Sequence, residues 1–230
     1  MIRSLTRPFA LIAVLLLLVG VVGFAGVVRV AAQDDDLRTV LATLPSARTA
    51  DGGYIVGNPD APITIVEFSD FACPHCLDYR TTIDQFILDH VLTGQARFEL
   101  RVFPTAGGRR TVYASRVAEC AETLHGGGFW QASEILYEYA EIGSYYAPLG
   151  RVVADELGID YLSMLGCIWR ARQVIADYEF ATGAGITGTP AVMVRYADGE
   201  AVFVEHEGVT YDRGPVPLDI LAAVIEEANG

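Results

Sequence analysis

The sequence predicts an α/β domain interrupted by an all-helical insertion and preceded by a short linker and an apolar N-terminal segment. Three observations carry this. The β-branched run Ile63-Thr64-Ile65-Val66, closing with Glu67-Phe68, gives way at Cys73 to helical spacing and then to the alternating segment ARFELRVF at 96–103, which makes a β-α-β start. From Arg109 to about Gly183 the apolar residues recur at helical spacing. Strand character then returns at residues 191–196 and 201–205, parted by the turn Ala197-Asp198-Gly199, and a last amphipathic helix is expected over 218–228.

Composition agrees with a folded body. Of 230 residues, 52% are hydrophobic and 20% charged, enough to bury one substantial core. The net charge is −13, every basic residue is Arg, and three of these lie in the first 32 residues, so the remainder is more acidic still. Such a body repels phosphate backbones and offers no basic stripe, which excludes nucleic acid as an expected partner.

Arg3 and Arg7 precede an unbroken apolar run over 8–28, which ends at Arg29 and passes through Ala31-Ala32 into Asp34-Asp35-Asp36. A stretch of roughly 20 apolar residues is long enough to cross a bilayer, whereas a cleaved signal has a core of about 7 to 15. Residues 1–32 are therefore expected to form a single-pass anchor with the body outside the cytoplasm, by the bias of positive charge toward the inside. The small residues at 31–32 keep a cleaved signal, and a secreted or periplasmic product, as the alternative. Residues 33–53 mix charge, small residues and Gly and are expected to be a linker; the first part of the folded domain is assigned to 54–108, the helical insertion to 109–183 and the second part to 184–230.

Within the domain, a turn cluster at Asn58-Pro59-Asp60-Ala61-Pro62 leads into the first strand, and Pro74 suits the first position of the helix that follows, which runs at helical spacing through Val91 to a stop at Gly94. Helices of the insertion are expected near 111–124, 129–142, 148–157, 161–170 and 172–182. The turn 185–189 leads to Pro190 at the start of a strand, a position where a cis bond is compatible with the chain.

Cys73-Pro74-His75-Cys76 stands at the strand-to-helix junction. There the unpaired N–H groups and the positive end of the helix dipole stabilise a thiolate on the first sulfur, while the second lies one turn in and deeper. Cys73 is then the nucleophile, Cys76 the resolving partner, and His75 a further stabiliser of the Cys73 anion. A stabilised thiolate makes the disulfide the stronger oxidant.

Half of a zinc site is the structural alternative, but Cys120 and Cys167 are lone cysteines and none of His90, His125 and His206 completes a knuckle, so no metal is expected. In an exported chain with four cysteines, Cys120 and Cys167 are expected to pair, with two free buried thiols as the alternative. Glu67 interrupts an apolar strand; alternation alone leaves open whether it faces the sulfurs, where burial would let it move a proton to or from Cys76, or forms an ion pair near a sheet edge.

The run Gly57-Asn58-Pro59-Asp60-Ala61-Pro62, then Ile65-Val66-Glu67-Phe68-Ser69-Asp70-Phe71 and Cys73-Pro74-His75-Cys76, with Phe129-Trp130 and Gly188-Thr189-Pro190, resembles the DsbA-like thiol-disulfide oxidoreductases of bacterial cell envelopes over residues 54–230. The resemblance implies a thioredoxin fold split by a helical domain, with Pro190 as a cis-proline beside the reactive disulfide and Thr189 offering backbone groups to an extended substrate. It implies that Glu67 is a buried acid serving the pair and that Cys120 and Cys167 form a second, structural disulfide.

It further implies a dithiol oxidase acting on reduced or unfolded exported polypeptides, working as a monomer without cofactor and reoxidised by a membrane quinone-linked thiol oxidase. Threonine before the cis-proline also resembles isomerases and their relatives, whereas the best-known oxidase carries valine. A reductase or isomerase of the same fold is thus the nearest rival, opposed by a stretch before Tyr54 too short for a dimerisation domain. A non-catalytic envelope binding or chaperone module is the rival from another class.

Overall fold

Where β-branched and aromatic residues cluster, the chain forms strands, and where the spacing turns helical it forms the helices that cover them. The computed structural model describes residues 37–230, of which 40–230 form one compact unit and are considered below. The apolar N-terminal segment, with its reading as an anchor or signal, lies outside the described residues. Among the described residues no helix is long and apolar enough to cross a membrane.

In chain order the strands are β1 (Ser46–Arg48), β2 (Tyr54–Gly57), β3 (Ile63–Ser69), β4 (Arg97–Val102), β5 (Ala191–Tyr196), β6 (Val202–His206) and β7 (Val209–Tyr211). The helices are α1 (Pro74–Phe86), α2 (Arg109–Leu124), α3 (Gly128–Glu141), α4 (Leu149–Glu156), α5 (Tyr161–Ile168), α6 (Gln173–Gly183) and α7 (Leu218–Asn229). A single π turn, Ile87–Val91, prolongs α1 and keeps Ile87 and Val91 buried.

The strands form one sheet in the order β1-β2-β4-β3-β5-β6-β7. Only β3 and β4 run parallel, joined by α1 as a crossover; every other neighbouring pair is antiparallel. All five helices between β4 and β5 follow one another without a strand, so the sheet is split in sequence by a helical insertion.

Segment 33–53, expected as a linker, is partly built into the fold. It carries β1, which pairs Ser46 with Val56 of β2, and Asp51, whose carboxylate meets Arg101 at 2.8 Å. β2 and β7 also lie beyond the strands expected from the sequence. Strands of three or four residues are too short to display an alternation that reads above chance.

The two faces of the sheet are buried differently. On one, Phe98 and Leu100 of β4 pack with α1 and α3: Phe98 lies 6.0 Å from Phe86 and 5.7 Å from Trp130, while Phe129 stacks on Tyr54 at 3.5 Å. Full burial of each such ring contributes about 2 to 3 kcal/mol. Helix α3 comes close to α2 because Gly128 lacks a Cβ, which would fall 2.5 Å from the Ala121 carbonyl oxygen.

On the other face, Val66, Phe68 and Met193 form an apolar cluster with Ala181 of α6 and with Ile186. Beside it lie the charges of β4, which alternation would assign to a solvated face. Arg101 and Glu99 are wholly enclosed. Arg101 bonds Glu99 at 2.6 Å and Asp177 of α6 at 3.3 Å, its guanidinium lies 4.5 Å over the Phe180 ring, and Glu99 also meets Arg195 at 3.3 Å. Asp177 completes the joint by accepting the Val102 N–H at 3.1 Å.

Removing Arg101 would leave enclosed Glu99 with Arg195 alone and enclosed Asp177 with only the uncharged donors Gln173 and Val102. R101A is expected to lose about 3 to 5 kcal/mol of stability, read from denaturant unfolding. A loss under about 1 kcal/mol would mean that these acids find water or a proton without their partner.

Candidate active site

Strand β3 delivers the site, because its buried length runs straight into the turn that starts α1. Cys73 caps that helix with extended backbone (φ −80°, ψ 121°), Pro74 takes the first helical position, and the Cys76 and Leu77 N–H groups bond the Cys73 carbonyl at 3.0 Å. A proline has no N–H to lose there and its fixed φ already suits the helix. Pro74 and His75 are exposed on this first turn.

Both cysteines carry free thiols, Cys73 with 6% of its surface exposed and Cys76 with 1%. Cys73 Sγ donates to the Thr189 carbonyl at 3.4 Å, and the Thr189–Pro190 peptide is cis. The Asp70 N–H donates to Cys76 Sγ at 3.5 Å. Residues distant in sequence, from the β3 end, the start of α1 and the loop before β5, thus meet at the sulfurs.

Glu67 faces the pair. It lies on the side of β3 covered by α1 and α3 and is 4% exposed. Burial raises its carboxyl pKa to about 7, against the smaller opposing pull of Ser69 and Arg80. Cys76 is pushed up to about 12, chiefly by burial and next by the Glu67 charge, with the Asp70 N–H working the other way. A buried acid that holds its proton to about neutral pH and whose charge opposes ionisation of a buried thiol is suited to giving that thiol a proton.

Several neighbours carry no signal in the sequence. Tyr137 donates to Ser69 Oγ at 2.7 Å, Tyr79 donates to the Val216 carbonyl at 2.7 Å and so ties α1 to the segment before α7, and Arg80 pairs with Glu134 at 2.6 Å. Glu67, Arg80, Asp84, Glu134 and Tyr137 border a small internal cavity of about 20 Å³. Only the three-dimensional arrangement reveals these contacts, since the partners come from two helices, a strand and the segment before α7.

Cys120 and Cys167 are bonded to each other and join α2 to α5. Among the described residues no cluster of His, Cys, Asp and Glu is arranged to hold a metal ion. A groove of about 940 Å³, lined by Arg48, Ile55, Arg97, Phe180 and Arg195 among others, shares no residue with the sulfur site. Chemistry rather than concavity therefore locates the site.

A family model described as thioredoxin matches residues 49–207. The chain belongs to the thioredoxin family. Solved structures of similar fold include Wolbachia pipientis alpha-DsbA1 (TM-score 0.63, 19% identity, covering 79% of this chain and 92% of that one) and Pseudomonas aeruginosa DsbA2 (0.59, 21%, covering 75% and 92%). BdbD from Bacillus subtilis in its oxidised form is a third (0.57, 21%, covering 76% and 92%). Sheet and helical insertion together are thus the DsbA-like form of the thioredoxin fold.

Among curated proteins the chain is similar to a Na(+)/H(+) antiporter NhaA 3 of Salinispora tropica, with 27% identity over 148 residues covering 63% of this chain, and to an NhaA 1 of Salinispora arenicola at 26% over 146 residues. It spans 22% of the length of either relative.

The elevated carboxyl of Glu67 has a measurable consequence for stability. Its value of about 7 lies above the ordinary 4.5, so the neutral form favours the fold; that contribution is whole below about pH 4.5 and is lost as pH rises through about 7. E67Q has no such loss. The stability of E67Q minus that of the wild type, both reduced, is expected to grow by on the order of 3 kcal/mol from pH 4 to pH 8 in urea unfolding. A difference independent of pH would show Glu67 titrating alike in the folded and unfolded chains.

Proposed function

We propose that this chain is an extracytoplasmic protein thiol-disulfide oxidoreductase that introduces disulfides into reduced exported polypeptides. The observation that carries the reading is the Cys73 Sγ at the start of α1, facing the Thr189 carbonyl at 3.4 Å beside the cis Pro190. An extended peptide brought along Thr189 would present its own sulfur to Cys73.

The cycle starts from the Cys73–Cys76 disulfide. A substrate thiolate attacks Cys73 Sγ, the S–S bond breaks, and Cys76 leaves as a thiolate that a neutral Glu67 protonates. A second substrate thiolate then attacks the substrate sulfur of the mixed disulfide and expels Cys73. The substrate has lost two electrons and two protons, and the protein holds two reduced cysteines, stabilised at Cys73 by the helix N-terminus and by His75.

Reoxidation is assigned to a membrane quinone-linked thiol oxidase, and the apolar segment 8–28 to membrane attachment. Thr189, in place of the valine of the best-known oxidase, supports a second reading as a reductase or isomerase.

The reduction potential of Cys73/Cys76 separates the two readings. It is expected well above the about −270 mV of thioredoxin, and a value at or below that level would overturn the oxidase direction. Replacing the sulfurs one at a time tests the reaction class. With a peptide that carries a disulfide, C76S is expected to accumulate a mixed disulfide through Cys73 as one peptide thiol is released, and C73S to form none, whereas equal trapping by both would defeat the assigned roles.

A further inference from the structure

We infer that Asp70 is a positioning residue for the polypeptide substrate. Its buried carboxylate sets the loop at residues 105–107, which in turn holds Thr189 in place at Cys73. The inference rests on the exchange reading above and concerns how that site grips its substrate.

Asp70 is wholly enclosed, and its carboxylate gathers five donors. Oδ1 accepts the Ala72 N–H at 2.8 Å and the Thr111 hydroxyl. Oδ2 accepts three consecutive main-chain N–H groups, those of Thr105 and Ala106 at 2.8 Å and of Gly107 at 2.9 Å. Successive N–H groups converging on one oxygen make a small anion-binding nest, here filled by a side chain of the protein itself.

The sequence at the loop suits this closure. A Cβ on Gly107 would collide with Thr111 Oγ1 and stand 2.8 Å from Ala72 Cβ, so only glycine lets the backbone approach the carboxylate. Thr105 and Ala106 are exposed, so the carboxylate beneath them supplies the anchorage that packing does not.

From this anchored loop the Thr105 hydroxyl reaches Thr189 Oγ1, one hydroxyl donating to the other at 2.5 Å. Thr189 is the residue whose carbonyl faces Cys73 Sγ. A chain of contacts therefore runs from a buried acid next to the reactive turn, through an exposed loop, to the backbone along which a peptide would lie. Loop closure alone would not require the hydroxyl pair. What the pair adds is a fixed orientation for Thr189, the part of the site that touches a polypeptide and that a small dithiol does not need.

T105V keeps the size of the side chain and removes the link, T105S retains the hydroxyl, and D70N replaces an acceptor oxygen by a donor amide. Each is made in the full chain and assayed for turnover of a two-cysteine peptide and of dithiothreitol with glutathione disulfide as the terminal oxidant that restores the Cys73–Cys76 bond, uncatalysed rates subtracted and the Cys73/Cys76 potential measured alongside. T105V is expected to raise KM for the peptide about tenfold with kcat, the dithiothreitol rate and the potential within about twofold of wild type. T105S is expected to restore the peptide KM, and D70N, if it folds, to exceed the T105V defect.

A T105V enzyme with wild-type peptide KM overturns the inference, as does one slowed equally toward both thiols or one that T105S fails to rescue. A wild-type protein inert toward both thiols overturns the exchange reading itself, a result none of the variant outcomes resembles.

Discussion

The Asp70 main chain reaches both cysteines: its N–H donates to Cys76 Sγ at 3.5 Å and its carbonyl accepts the Cys73 backbone N–H at 2.9 Å. That double contact exists because β3, buried on both faces and paired with a strand on each side, ends at a fixed point with no freedom to slide. A slip of one residue would turn every side chain of β3 to the opposite face and exchange the surroundings of Glu67 and Phe68. The identity of the reactive turn and the position of its acid are therefore one constraint.

Two kinds of buried polarity follow from the two faces of the sheet. Around Glu67 the nearby cations and hydroxyls do not fully offset desolvation, so the carboxyl is held near the point of losing its proton. Around Arg101 the compensation is dense: two enclosed carboxylates, an aromatic ring and the carboxylate of Asp51 all meet one guanidinium. Incomplete compensation is useful where a proton has to move, and complete compensation where an insertion has to be fastened to a sheet. The first arrangement lies under α1 and the second under α6.

Much of this was open to reading from residue order. The β-branched run at 63–66, Pro74 after Cys73, and apolar residues at helical spacing announce β3, α1 and the insertion, because those segments are long or are punctuated by residues with one strong backbone preference. β1 and β7 escaped because three residues show no period. Glu67 was recognisable as anomalous within its strand, yet its direction depends on which face α1 covers, a tertiary fact. Glu99 and Arg101 gave no sign of their enclosure, since alternation with charge normally marks a face open to water. Asp70 sat inside a recognised run of residues, but nothing in order or spacing signals that its carboxylate binds amides 35 to 37 positions away.

The bond between Cys120 and Cys167 sits in the same chain as a pair of free thiols, Cys73 and Cys76. Its sulfurs belong to residues that are 0% and 7% exposed, in helices α2 and α5. Exposure does not set it apart, since Cys73 and Cys76 are themselves 6% and 1% exposed; the difference is that Cys73 stands at a helix start beside the Thr189 carbonyl, whereas this bond joins two helices of the insertion. One chain thereby houses two cysteine pairs in different surroundings, one cross-linking the helical insertion and the other reduced at the head of α1.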